Sequence, residues 1–143
     1  MGKKRIVKKG AETEGAASRA PSARVSRRKM ENGTVYVEAT YNNTKVALAD
    51  TVGNVVVWSS SGSLGFMGAK KGTPFAAAKV GELVGEKASQ MGVKEVNVVV
   101  SGVGAGRESS IRAFATKGIH IASIKDTTPV PHNGPRPKKP RRV

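Results

Sequence analysis

The chain has 143 residues and a formal net charge of +15, which fits one domain with a modest core and points to a polyanionic partner, nucleic acid or an anionic membrane. It has no cysteine, which excludes disulfides, thiolate metal sites and cysteine nucleophiles, and its two histidines, His120 and His132, are too few and too far apart to suggest a metal site. No apolar run approaches the ~18 residues that span a bilayer, and the basic start lacks the apolar stretch of a secretory signal.

The charge is concentrated at the two ends. Residues 1–30 hold ten Lys/Arg against two Glu, residues 127–143 hold five Lys/Arg and no acid, and residues 31–126 hold ten Lys/Arg against eight acids. A nearly neutral globular domain over 31–126 is therefore expected between two cationic extensions. The first, 1–30, has almost nothing apolar to bury, and is expected to stay disordered until bound. Its part over 16–29, rich in Arg, Ser and Ala, also has the composition of a transit peptide. Against that reading stand its opening lysines and Glu12 and Glu14.

Thr34–Tyr41 alternates, with Val35, Val37 and Ala39 on one face and Tyr36, Glu38 and Thr40 on the other, and predicts a half-buried strand. Asn42-Asn43 is expected to form a two-residue type I′ turn, since Asn tolerates the left-handed conformation. Thr44–Asp50 reads as the return strand, Gly53-Asn54 as a second turn and Asn54–Ser60 as a third strand, which together make an antiparallel meander. Ser59–Gly72 follows as a long loop with four glycines and the pair Lys70-Lys71. Long loops in compact domains usually have a function. Glycines let a backbone lie against a phosphate chain, and Phe66 could stack on an unpaired base; the plain alternative is a solvated surface.

Thr73 is placed to cap a helix with Pro74 at its first position. Val80, Val84, Ala88 and Met91 fall along one stripe of that helix, and Gly92 is its stop. Val96–Val100 reads as a buried strand, followed by the tight turn of Gly102, Gly104 and Gly106 and a helix with Ile111, Phe114 and Ala115 on one face. Gly118 ends it, and Ile119–Lys125 is the last strand. From Thr127 the chain changes character. Five prolines forbid helix and favour an extended tail, and Arg136, Lys138, Lys139, Arg141 and Arg142 sit between and after them. The order is βββαβαβ, an α/β domain in which the helical crossovers make the later strands parallel, giving a mixed sheet.

The turn Gly102–Arg107 carries the sharpest functional signal. A strand feeding a helix through glycines aims free N–H groups and the positive end of the helix dipole at one spot, which suits a phosphate. The stretch matches half of a dinucleotide fingerprint, but Arg107 stands where the third glycine belongs. Asp126 lies near the offset of that motif's acid, yet it follows the last strand. An RNA phosphate, a plain structural turn and a nucleotide pocket are the three readings, and the basic extensions favour the first. Glu108 suits the helix dipole rather than catalysis. A metal-dependent nuclease would need converging carboxylates; Glu38, Asp50, Glu82 and Glu86 show no such cluster by spacing. Aromatic residues make up only 4%, thin for a base-stacking platform, so binding is expected to rest on phosphate charge and RNA shape. Asn32-Gly33 and Asn133-Gly134 are prone to succinimide formation and are read as turns.

Five stretches together resemble a known family. They are Tyr41-Asn42-Asn43-Thr44, the run from Asp50 to Trp58, and Gly65-Phe66-x-Gly68-x-Lys70-Lys71-x-Thr73-Pro74. Gly106-Arg107-Glu108-Ser109-x-Ile111-Arg112-Ala113 and Asp126-x-Thr128-Pro129-x-Pro131-His132-Asn133-Gly134 complete the set. From about Thr34 to Val143 the chain resembles the bacterial form of small-subunit ribosomal protein eleven; residues 1–30 match only in being basic. The resemblance implies a single ribonuclease-H-like domain without nuclease activity or cofactor, in the cytoplasmic ribosome. It implies a place on the small-subunit platform, bridging rRNA helices and helping to form the cleft for the mRNA leader. Small-subunit proteins seven and eighteen are the implied protein neighbours, with initiation factor three a further contact. By matching motif, Asn42, Asn43, Phe66, Lys70, Lys71, Arg107, His132, Asn133 and Arg136 are candidates for rRNA contact, joined by the tail cations Lys138, Lys139, Arg141 and Arg142. The family turn usually reads Gly-Pro-Gly-Pro-Gly-Arg; here Val103 and Ala105 replace both prolines, which puts its preorganisation in question.

Overall fold

A computed structural model describes residues 29–142. The extension expected over 1–30, with its transit-peptide-like part over 16–29, lies outside the described residues except for Lys29 and Met30. Five strands, β1 (Asn32–Ala39), β2 (Thr44–Ala49), β3 (Val55–Ser60), β4 (Glu95–Ser101) and β5 (His120–Asp126), combine with α1 (Pro74–Gln90) and α2 (Gly106–Ala115) in the expected order βββαβαβ. They form one mixed sheet in the order β3-β2-β1-β4-β5. β1, β2 and β3 are antiparallel neighbours, whereas β4 joins β1 and β5 joins β4 in parallel. The two crossovers contain the helices, as parallel pairing requires.

The period-2 pattern sorts the side chains onto two faces. Val35, Val37, Val46, Leu48, Val57, Val96, Val98 and Val100 point inward and are buried. Above them lie Val80, Val84, Ala88 and Met91 of the α1 region and Phe114 of α2, completing a single core. The expected α1 stripe is the buried face. Thr73 caps this helix, its hydroxyl accepting from the Ala76 N–H at 3.3 Å. Gly81 and Gly85 are also buried there. A side chain on Gly81 would collide with the Ser110 carbonyl, so α2 can lie close against α1 only because that position is bare. The opposite sheet face is open and carries Tyr36 and Trp58, both exposed. Met30 packs against the core, and its N–H donates to Met91 O at 3.2 Å.

Two local expectations are corrected. The β1–β2 connection is not a two-residue type I′ turn. Ala39 faces Thr44 in register, so Thr40–Asn43 forms a four-residue loop. Asn133 is the one non-glycine residue with positive φ among the described residues. Thr40 explains the difference: its N–H and hydroxyl both donate to the Asn43 carbonyl, at 2.9 and 3.1 Å, and its Oγ1 accepts from the Asn43 N–H at 3.1 Å. A side chain that satisfies these groups removes the need for left-handed residues. The second correction concerns Ser59–Gly72, which is not wholly irregular. Its first two residues complete β3, and Gly68–Gly72 forms a short 3₁₀ helix leading into α1.

Candidate nucleic-acid interface

Strand direction brings together the predicted binding residues that lie before the tail, Asn42, Asn43, Phe66, Lys70, Lys71 and Arg107. β1, β3, β4 and β5 all end at the edge where β2 begins. The 40–43 hairpin, the 61–72 loop, the 102–105 turn, the start of the tail and the first turns of both helices therefore share one end of the sheet. This is the carboxyl end of the parallel strands, where open α/β sheets place their ligands.

Ser61 ties the first two loops together. Its buried hydroxyl accepts from the Thr44 N–H at 3.0 Å and lies 2.8 Å from the Lys71 carbonyl and 3.0 Å from Asn43 Oδ1. Asn43 thus has a structural partner, while Asn42 is exposed. Lys70 is exposed and Lys71 half-buried, and neither pairs with a carboxylate among the described residues. Phe66 is half-buried and meets Phe75 edge-on, with ring centroids 6.1 Å apart. Tyr41, Met67 and Phe75 stand out at this end with exposures of 79%, 81% and 64%. None of the three is among the candidates for rRNA contact named from sequence, although Tyr41 belongs to one of the matching stretches. For Phe75 a signal existed, because it lies off the Val80–Val84–Ala88 stripe.

The glycine turn packs against the hairpin. A Cβ on Gly102 would run into the Ala39 carbonyl, one on Gly104 into the Thr40 carbonyl, and one on Gly106 into the Thr44 side chain. The Gly104 N–H also donates to Ala39 O at 2.8 Å. Gly102 and Gly104 make room for the hairpin backbone, and Gly106 for the side chains of Thr44 and Ala77.

Arg107 lies within a network of the protein's own groups. Nη1 donates to the Gly102 carbonyl at 2.6 Å and reaches Thr128 Oγ1 at 3.4 Å, and Nη2 pairs with Asp126. Thr128 Oγ1 accepts from the Gly102 N–H at 3.2 Å and donates to Asp126 Oδ1 at 2.6 Å. The Thr128 hydroxyl, then Arg107 and the Thr128 N–H, hold the Asp126 carboxyl down at about 2, from an ordinary value of 3.8. A lowered carboxyl pKa contributes stability that is complete above the ordinary value and is lost as the pH falls from it through about 2. Acid unfolding followed by circular dichroism is therefore expected to show a shallower loss over that window for Asp126→Asn than for the unsubstituted chain.

The remaining candidates, His132, Asn133, Arg136, Lys138, Lys139, Arg141 and Arg142, lie on the exposed tail, which has no helix or strand. They are not gathered into the loop cluster. The four carboxylates weighed for a nuclease have separate local roles. Glu38 pairs with Lys45, Glu82 with Lys79 and Glu86 with Lys117. Asp50 accepts the N–H groups of Val52, Gly53 and Asn54 in the turn at the other end of the sheet.

A family model, described as ribosomal protein S11, matches residues 33–142 and so takes in every helix and nearly all of every strand. The chain belongs to the ribosomal protein S11 family. It is 52% identical over 120 residues to the small ribosomal subunit protein uS11 of Treponema pallidum (strain Nichols), covering 84% of this chain and 95% of that one. The uS11 of Gloeobacter violaceus is 53% identical over 117 residues, covering 82% of this chain and 90% of the relative. Against the usual S11 turn, this chain's Ala105 is informative. It sits at φ −66°, the value proline imposes, and its N–H has no acceptor among the described residues. Ala105→Pro is expected to raise stability by about 0.4–1 kcal/mol by restricting the unfolded chain, read as a higher urea midpoint at unchanged slope.

Proposed function

We propose that the chain is a structural, non-catalytic constituent of the small ribosomal subunit that binds rRNA through the loop end of its sheet and its cationic tail. The observation that carries this reading is the convergence of Lys70, Lys71, Asn42 and the root of the tail on one end of the sheet in an S11-family chain. Phosphate charge supplies affinity, while the exposed Tyr41 and Phe75 offer faces to unpaired bases. Phe66 backs Phe75, and Asn43 holds the hairpin in shape beneath them. On the tail, His132, Asn133, Arg136, Lys138, Lys139, Arg141 and Arg142 follow an rRNA groove beyond the domain. The finer placement is on the platform, bridging rRNA helices beside the mRNA leader cleft. Small-subunit proteins seven and eighteen and initiation factor three are its proposed protein neighbours there.

The experiment is sedimentation of the tagged chain from its own cells through a sucrose gradient. The chain is expected to travel with small subunits and with whole ribosomes. Persistent absence from both, with nucleic acid bound elsewhere, would overturn the reading in favour of a free architectural RNA- or DNA-binding protein.

A further inference from the structure

We infer that Arg107 is a positioning residue for the tail: held between Gly102, Asp126 and Thr128, it sets the direction in which residues 129–142 leave the sheet. The inference rests on the rRNA-binding reading above. Both terminal nitrogens of Arg107 are directed at protein acceptors. Only about a third of its side chain, 33%, is exposed.

The same groups fix the root of the tail. The Thr127 N–H donates to Val100 O at 2.8 Å, the Thr128 N–H to Asp126 Oδ1 at 2.9 Å, and the Gly102 N–H to Thr128 Oγ1 at 3.2 Å. Beyond Thr128, no hydrogen bond among the described residues joins tail to domain. The latch is thus the last fixed point before the five cations.

Proline makes that point consequential. Pro129, Pro131, Pro135 and Pro137 favour a semi-rigid extended chain rising about 3.1 Å per residue. From Thr128 to Arg136 that is a contour of at most about 25 Å, in two stiff pieces joined by a bend at His132-Asn133, where Asn133 adopts φ 58°. A flexible tail would lose the direction given at its root within a few residues; a proline-rich one carries it to Arg136 and Lys138. Holding the arm in its bound direction lowers the ordering cost of binding.

The test measures affinity for transcribed small-subunit rRNA at about 100 mM salt, using full-length chains throughout. Asp126→Asn keeps the shape of the side chain and an acceptor for Thr128 but removes the charge pair. It is made in the natural chain and in one whose Arg136, Lys138, Lys139, Arg141 and Arg142 are replaced by glutamine. With the natural tail it is expected to weaken binding about tenfold; with the neutral tail, by less than about twofold. Arg107→Ala is expected to follow the same pattern. Were Arg107 itself a phosphate contact, Asp126→Asn would free it and leave binding unchanged or tighter, which would overturn the inference. Equal losses with both tails would overturn it too. Failure of the unsubstituted chain to bind would instead overturn the rRNA-binding reading on which it rests.

Discussion

Gly102→Ala is expected to cost the folded domain about 3 kcal/mol or more, the sum of left-handed strain and forced overlap with backbone. Gly102 has φ +97°, and a methyl group there would collide with the Ala39 carbonyl at the end of β1. That oxygen cannot swing aside as a side chain could, because it accepts from the Gly104 N–H at 2.8 Å. Relief would require parting the turn from the hairpin and disturbing the loop end of the sheet. Gly53→Ala is the internal control. Gly53 has φ +103° but nothing within 4 Å of the added methyl, so only the conformational term of about 1–2 kcal/mol applies. Urea denaturation of the two variants separates the effects. Equal losses would mean that φ alone matters and that the close approach of turn and hairpin is relaxed in solution.

The second large effect concerns the tail. With Arg136, Lys138, Lys139, Arg141 and Arg142 replaced by glutamine, rRNA affinity at about 100 mM salt is expected to fall by about 10³–10⁴. The slope of log affinity against log salt is expected to become shallower by roughly 3.5–4.5, each cation having released about one counterion. These side chains are exposed and pair with no carboxylate among the described residues, so their charge is available to RNA phosphates. A slope unchanged within error would mean that the tail does not neutralise phosphates.

What could be read from sequence was local. Alternation at Val35, Val37 and Ala39, the Thr73-Pro74 cap and the stripe of Val80, Val84 and Ala88 each depend on neighbours a few residues away. All three recur in the structure as a half-buried strand, a capped helix start and a buried helix face. Contacts between distant residues were not legible. Gly102, Gly104 and Gly106 suggested a backbone bared for phosphate, whereas they are bared for the hairpin some sixty residues earlier, at Ala39, Thr40 and Thr44. The partners of Arg107, Asp126 and Thr128, lie at and just past the end of β5, and only the parallel pairing of β4 with β5 brings them to it. The Asn42-Asn43 turn failed for a different reason. Turn propensity ranks residues by backbone freedom, but here the Thr40 hydroxyl satisfied the loop and made that freedom unnecessary. The candidate site was legible as a set of residues. The shared location of Asn42, Asn43, Phe66, Lys70, Lys71 and Arg107 follows from strand direction, which the order of elements alone does not settle.

The claim that one end of the sheet is the RNA-binding end is tested most directly by removing equal charge from opposite ends. Lys70→Ala/Lys71→Ala removes two cations from the loop end. Lys87→Ala/Lys94→Ala removes two from the far end, in the last turn of α1 and just before β4. Affinity for small-subunit rRNA is measured for both across a salt series. The first pair is expected to lower the salt slope by roughly 1.4–1.8 and to weaken binding accordingly, while the second leaves both nearly unaltered. Equal losses from the two pairs would contradict the claim and reduce the interaction to net charge without a face.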